Sequence, residues 1–317
     1  MKKAITVFSV VVLLATVCTA ADKVDLKLRL KAGDSHEMKM VQTQDIAQTV
    51  NGMEMKMKQT QEMVMTLDCT SVDANGNMDL KMVYKSMKMS MEGPMGKMQY
   101  DSGNPNTVGP NTPPQEKMMA GMFSAMVGSQ FQMKVKPTGE VTNITGMSEM
   151  MQKMKDKLKS NPDAAAAEGV LDKMFDEKQL KELTGNMMNM YPAQPIAIGE
   201  SWYDIKTMNF MMPIDIDTTY MLKSVKDDIA AIDMVAKLDM GDPNKPLVSD
   251  PNMKMSMQMS GTINGTNEVD MKNGLTKKGD MTMNFSGVVK MEGNPQMPEG
   301  MVIPMTIKGN ATVELTK

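Results

Sequence analysis

The chain has 317 residues, 35 basic and 38 acidic side chains and a formal net charge of -3. This mild, interspersed acidity excludes a nucleic-acid partner, which needs clustered Lys and Arg. The abnormal quantity is methionine: there are 45, against 6 Phe, 5 Tyr and 1 Trp.

At the N-terminus, Lys2 and Lys3 precede an apolar run from Ala4 to Val17, and the small residues Thr19, Ala20 and Ala21 follow. That is the pattern of a secretory signal peptide over residues 1–21, with cleavage after Ala20 or Ala21. The run is shorter than the ~18 residues that a membrane-spanning helix needs. Cys18 would give membrane contact only through lipidation, and Val17 is too large for the position directly before a lipidated cysteine. The mature chain then keeps one cysteine, Cys69, so no disulfide forms within it and stability rests on burial. An exported location follows: periplasm, cell envelope or secreted.

After the signal segment, period-two alternation predicts strands through Leu26, Leu28 and Leu30; Met53, Met55 and Met57; Met63, Met65, Leu67 and Cys69; Leu80, Met82 and Tyr84; and Met87, Met89 and Met91. Asn51-Gly52 and Asn75-Gly76 supply hairpin turns between them. Asp101 to Pro114 reads as a loop, and a short helix is predicted from Gln115 to Met126, weakened by Gly121. Pro137-Thr138-Gly139 turns a further hairpin. Met147, Met150, Met151, Met154 and Leu158 fall at helical spacing, and a further helix starts at Asp176, which can cap it with Gln179 three residues on. Residues 159–169, with Asn161-Pro162 and an alanine run, read as a linker between an N-terminal β-rich half (22–158) and a C-terminal one (170–317).

In the second half, Met253, Met255, Met257 and Met259 share one strand face, with Lys254, Ser256 and Gln258 opposite. Asn273-Gly274 leads to Met281, Met283 and Phe285. An internal echo links the halves. Leu30-Lys31-Ala32-Gly33-Asp34-Ser35-His36 matches Ile196-Ala197-Ile198-Gly199-Glu200-Ser201-Trp202, and Thr70-Ser71-Val72 finds a weaker partner in Lys223-Ser224-Val225. The second offset is smaller than the first, which gives the N-terminal half a longer hairpin around Asn51-Gly52. The fold class is α+β, mainly β: curved, half-barrel-like antiparallel sheets, built on a duplicated β unit, with two or three packed helices.

Several segments carry a resemblance: Leu30-x-x-Gly33-Asp34; Lys134-Val135-Lys136-Pro137-Thr138-Gly139-Glu140-Val141; Phe175-Asp176-Glu177-x-x-Leu180; and Pro192-x-x-Pro195-x-x-x-Gly199-Glu200-Ser201-Trp202. Through them the chain resembles a family of exported bacterial proteins classed as a domain of unknown function. The resemblance spans most of residues 24–317. It implies an envelope or surface location and brings no catalytic residues. His36 stands where an aromatic is common in such openings.

Chemistry is sparse. His36 is the only histidine, so a zinc site of several His is excluded. Ser35 beside His36 is no triad, because neighbours on a strand face opposite ways. No phosphate-cradling glycine loop is present, and Asp227-Asp228 reads as a solvated hairpin turn. No cofactor and no enzymatic activity are expected. Methionine admits four uses, one of them as an oxidant sink in which surface thioethers are reversibly oxidised to sulfoxide. It fills a core in place of Leu, Ile and Val, leaving a structural or interaction protein. It lines a deformable cleft for a lipid or another apolar guest, with Met255, Met257 and Trp202 as candidate lining. Or Met53, Met55 and Met57, one face of a Met-x-Met-x-Met run beside a turn, hold Cu(I) or Ag(I) through soft thioethers. The apolar-guest reading is the favoured one.

Overall fold

The computed structural model describes residues 23–94, 96–104, 112–159, 190–210, 212–242, 248–250, 253–292 and 300–317. The expected signal segment, the middle of the expected Asp101 to Pro114 loop, the linker expected beyond Lys159 and the helix expected at Asp176 lie outside them. The strands are β1 (Ser35–Val50), β2 (Met53–Val72), β3 (Met78–Gly93), β4 (Gly96–Asp101), β5 (Gln130–Val135), β6 (Val141–Thr145), β7 (Ser201–Phe210), β8 (Met212–Lys226), β9 (Ile229–Met240), β10 (Val248–Asp250), β11 (Met253–Asp270), β12 (Leu275–Glu292) and β13 (Met301–Leu315). Two helices accompany them, α1 (Pro114–Met126) and α2 (Met147–Lys159). All the strands form one antiparallel sheet in the order β6-β5-β3-β2-β1-β13-β12-β11-β9-β8-β7, with β4 added to β3 and β10 to β11. The two halves of the chain share this sheet, joined where β1 pairs with β13.

Residues paired across antiparallel strands point to the same face, so register sorts the side chains. On one face Met38 lies opposite Met65 and Leu315, Met65 opposite Tyr84, and Met255 opposite Met291. On the other, Lys39 lies opposite Val64, Glu62 opposite Lys88, and Lys254 opposite Glu292. Methionine takes the first face and charge the second.

Turn chemistry matches the sequence in part. Asn51 and Gly52, at φ 51° and 78°, form the two-residue turn between β1 and β2. Asp227 and Asp228 do the same between β8 and β9, at φ 50° and 60°. Asn75-Gly76 and Asn273-Gly274 sit in longer loops in which only the glycine has positive φ. Residues 73–77 join β2 to β3, and the Asp73 carboxylate accepts from the backbone N–H of Asn75 and Asn77 at 2.9 and 3.0 Å, replacing a two-residue turn. Residues 271–274 join β11 to β12, closed by the Gly274 N–H on the Asp270 carbonyl at 2.7 Å.

Leu26, Leu28 and Leu30 depart from expectation. Their alternation is present and all three are buried, yet residues 23–34 do not join the sheet. They cross its end. Val24 bridges Ile196, the Leu28 N–H donates to the Pro137 carbonyl at 2.8 Å, and the next N–H, that of Arg29, donates to the Asn273 carbonyl at 2.8 Å. Pro137 follows β5 and Asn273 precedes β12, strands that would stand about 24 Å apart in a flat sheet at ~4.8 Å per strand. Neighbouring α-carbons are only about 3.8 Å apart. The sheet is therefore rolled around this segment, with Leu67, Leu80, Val135, Leu222, Ile232 and Val269 packed in one core beneath it.

Inward glycines permit the roll. A Cβ on Gly287 of β12 would stand 2.6 Å from the Met259 α-carbon, and one on Gly261 of β11 would stand 2.7 Å from the Phe285 α-carbon. These are backbone atoms of the neighbouring strand and cannot swing aside. α1 and α2 pack on each other, and α2 also meets β5.

The sequence echo is a structural repeat. Gly33 and Gly199 both have positive φ, at 95° and 88°. Their N–H groups donate to the carbonyls of Cys69 and Leu222 at 2.8 and 2.7 Å, while the N–H groups of Cys69 and Leu222 return to Asp34 and Glu200. The Asp34 and Glu200 carboxylates each accept the backbone N–H three residues earlier, at 2.7 and 2.9 Å. Just beyond Cys69 and Leu222, both ladders shift register.

Three expectations follow. Gly287→Ala should lower stability by about 1–3 kcal/mol through overpacking. Gly121→Ala, where an added Cβ meets nothing within 4 Å, should raise it by up to about 1 kcal/mol in denaturant titration. Met259→Lys should destabilise by about 3 kcal/mol or more, since Met259 is only 3 % exposed, whereas Lys254→Met on the other face should cost under about 0.5 kcal/mol. Burial pushes the phenols of Tyr84, Tyr100 and Tyr191 above their ordinary value and that of Tyr220 up to about 12. The folded state therefore favours the protonated phenols. Their contribution is whole below about pH 10, the unfolded value, and is lost as pH rises towards 12. Tyrosinate absorbance and loss of far-UV dichroism should rise together over that window.

Candidate functional site

The inward face is the only extended apolar surface that the described strands build, and its charge content is low. Among the described strand residues its one ion pair is Asp204–Lys206 on β7, at 2.5 Å. Outward pairs such as Lys39–Glu62 at 2.9 Å, Lys81–Asp68 at 3.3 Å and Lys223–Asp233 at 2.9 Å show where the remaining charge goes.

Near the end crossed by residues 23–34, this face encloses a cavity of about 270 Å³. β1 supplies Met38 and Met40, β2 supplies Met63, Met65 and Leu67, and β3 supplies Met82 and Tyr84. Phe131, tilted against Tyr84 with centroids 6.3 Å apart, closes one side; Leu275, Thr276 and Val313 close the other. Leu28, Met190 and Tyr191 form the end wall. The Tyr191 hydroxyl donates to the Gly274 carbonyl, which fixes that wall to the β11–β12 loop. Apart from the Tyr84 and Tyr191 hydroxyls, Thr276 and backbone, the lining is hydrocarbon and thioether. The volume lies just under the ~300–1,000 Å³ of ordinary small-molecule pockets. The only ionisable side chains in this lining are the Tyr84 and Tyr191 phenols, which burial holds protonated.

The residues proposed from sequence fall elsewhere on the same face. Met255 and Met257 are half-buried rather than buried, opposite Met291 and Val289 towards the far end of β11. Trp202 stands at the other end, on β7, stacked on Tyr220 with centroids 5.3 Å apart. Its cross-strand row runs through Tyr220 and Met234 to Gly265, ten residues along β11 from Met255, roughly 33 Å at 3.3 Å per residue. The three do not meet. Trp202 still bears on the cavity, since its indole N–H donates to the carbonyl of Met190 at 3.0 Å.

Met53, Met55 and Met57 share the inward face beside the β1–β2 turn, opposite Val50, Gln48 and Ile46. Met53 is 68 % exposed. Among the described residues, no three or more His, Cys, Asp or Glu converge as a metal site. His36 points inward opposite Leu67, and its Nε2 is buried without a hydrogen-bond partner. Cys69 is buried in the core, its thiol pushed up by desolvation, as an unreactive thiol is.

Alternation marks the lining methionines as inward-facing residues. It carries no sign that space remains between them, because a cavity depends on what stands across the rolled sheet.

Comparison with curated proteins finds no match. Among solved structures, lipovitellin, in a structure describing its lipid–protein interactions, aligns over 90% of this chain at 8% identity and a TM-score of 0.43, and the chain spans 25% of it. An outer membrane channel from Pseudomonas putida F1 aligns over 93% of this chain and 99% of its own at 9% identity and a TM-score of 0.19. The translocator domain of the autotransporter NalP from Neisseria meningitidis aligns over 90% and 89% at 7% identity and a TM-score of 0.22. Likenesses this distant carry no functional reading. The sequence profile of a family of unknown function, DUF6263, matches residues 75–276, more than half of the chain, and the protein belongs to that family.

Proposed function

We propose that the mature chain is an exported, non-enzymatic protein that holds an apolar, lipid-like molecule against its methionine-lined inward face. The observation that carries this reading is the cavity of about 270 Å³ bounded by Met38, Met40, Met63, Met65, Met82 and Met190. Space of that size among apolar side chains forfeits packing energy, which an apolar guest restores. Methionine, with three rotatable bonds, lets one lining fit guests of different outline. The signal-like segment at Lys2 to Ala21 supports export.

The distribution of charge argues against a membrane-spanning barrel. Such barrels turn apolar residues outward to lipid and polar ones inward, and an outward Lys at the bilayer midplane costs about 2–4 kcal/mol. Here Lys39, Lys81, Lys88 and Lys254 face outward and methionine faces inward. The outside suits water and the inside suits hydrocarbon.

Organic extraction of protein purified from its own source should release an apolar molecule at near one per chain, and its loss should lower the melting temperature by mass action. Replacing Met53, Met55 and Met57 together by Leu should leave that binding intact, because the three lie outside the cavity lining. Saturable Cu(I) or Ag(I) binding that disappears in the same variant, with no extractable guest, would replace the lipid reading by the soft-metal one.

A further inference from the structure

The inward face changes character where the cavity ends. On β1 and β2 the lining stops at Met40 and Met63, which lie opposite each other, and the next inward positions are Gln42 opposite Gln61 and Gln44 opposite Gln59. In the other direction Leu28 and Tyr191 shut the space, so a molecule longer than the cavity extends past these four carboxamides.

The four are half-buried and have few hydrogen-bond partners among the described residues. Gln42 and Gln44 point their Nε2 at the sulfur of Met283, 3.8 and 3.5 Å away, and a thioether is a weak acceptor. The side chains of Gln59 and Gln61 make no hydrogen bond to another described residue. Their unbonded carboxamide atoms are open to solvent, and a ligand that displaces that water must offer both a donor and an acceptor in its place. From this belt to the β1–β2 turn, the inward positions are Ile46, Gln48 and Val50 on β1 and Met57, Met55 and Met53 on β2. Facing strands present Met281, Met283, Phe285, Ala311 and Ile307. None is charged, and the one lysine at an inward position of the described strands, Lys206, pairs with Asp204 on distant β7.

Resting on the apolar-guest reading, we propose that the occupant is a single-chain amphiphile whose head is uncharged and both donates and accepts hydrogen bonds, such as a hydroxyl, ester or amide, and that Gln42, Gln44, Gln59 and Gln61 bind that head. The chain fills the methionine-lined cavity and the head lies across the carboxamide belt. Each carboxamide offers a donor pair and an acceptor, which a hydroxyl or amide matches on both sides. A carboxylate or phosphate head would give up hydration and find no cation among the inward strand positions described around the belt.

The test uses the full mature chain stripped of guest, with three probes sharing one acyl chain: monooleoylglycerol, oleate, and oleoyl lysophosphatidic acid. Binding is measured at pH 8 by native mass spectrometry and by competition with a fluorescent acyl probe. Monooleoylglycerol should bind about tenfold or more tighter than either anion, and Gln42→Met/Gln61→Met should bring it down to their level while leaving their affinities in place. Met is the residue that the rest of this face already carries, and the single variants give the same readout, at smaller size, should the double fail to fold. Anions binding as tightly as monooleoylglycerol, or a preference that survives the Gln variants, overturns the proposal and leaves the apolar-guest reading standing. Binding of none of the three probes sinks both.

Discussion

The backbone N–H groups of Leu28 and Arg29 hold the molecule's shape, because two consecutive amides reach the turn after β5 and the loop before β12. The two could not both do so if the sheet were flat. Once they are satisfied there, the strands between are drawn into a roll, and Leu26, Leu28 and Leu30 drop into its end with their alternation intact. The same segment is anchored at Val24 on Ile196 and at Gly33 on Cys69, so its course is fixed at four points. A rolled antiparallel sheet leaves its inner face to be filled by whatever its own side chains reach. The polar outer face needs no cover.

That geometry explains the methionines better than a packing argument alone. Near the end wall, strands converge and residues such as Leu80, Leu222 and Ile232 are fully buried. Further along, the inward positions on β2 and β11 stay half-buried, and there Met55, Met57, Met255 and Met257 recur. A long unbranched side chain covers a wide concave surface without a fixed counterpart across the gap. The inward glycines of β11 and β12 act in the opposite sense, admitting the neighbouring backbone where a side chain would hold the strands apart.

Much of this was legible beforehand. Met63, Met65 and Leu67 read inward from alternation and are inward, and the Gly33 and Gly199 echo pointed to a repeat that the paired hydrogen bonds on Cys69 and Leu222 make concrete. What stayed hidden depends on residues far apart in the chain. Leu26 to Leu30 has a strand's pattern, but strand membership needs a neighbour offering a ladder, and this segment instead spends its amides on Pro137 and Asn273. Asn75 and Asn273 carried the signal of a two-residue turn, but the carboxylates of Asp73 and the carbonyl of Asp270 draw those loops out to greater length. Choosing Met255, Met257 and Trp202 as one cleft failed to bring them together for a simple reason. Sharing a face of a long sheet leaves tens of ångströms between residues at its two ends.

The repeat also accounts for where the cavity lies. Gly33 aligned with Gly199 places Met38 and Met40 against Asp204 and Lys206, and Cys69 aligned with Leu222 places Leu67 against Tyr220. His36 then corresponds to Trp202. In the second copy this space is occupied: Trp202 stacks on Tyr220, and the Asp204–Lys206 pair neutralises itself beside them. The first copy has a leucine where the second has the tyrosine, and flexible thioethers where it has the ion pair, so its side chains leave about 270 Å³ between them. Its hairpin is also the longer, with β1 and β2 of 16 and 20 residues against 10 and 15 in β7 and β8. The added length carries Met53, Met55 and Met57 at its tip and continues the strands beyond the glutamine belt. The second copy carries the aromatic stack and the ion pair at these positions, and the first, without that stack and with its strands extended, contributes most of the strand residues that line the cavity.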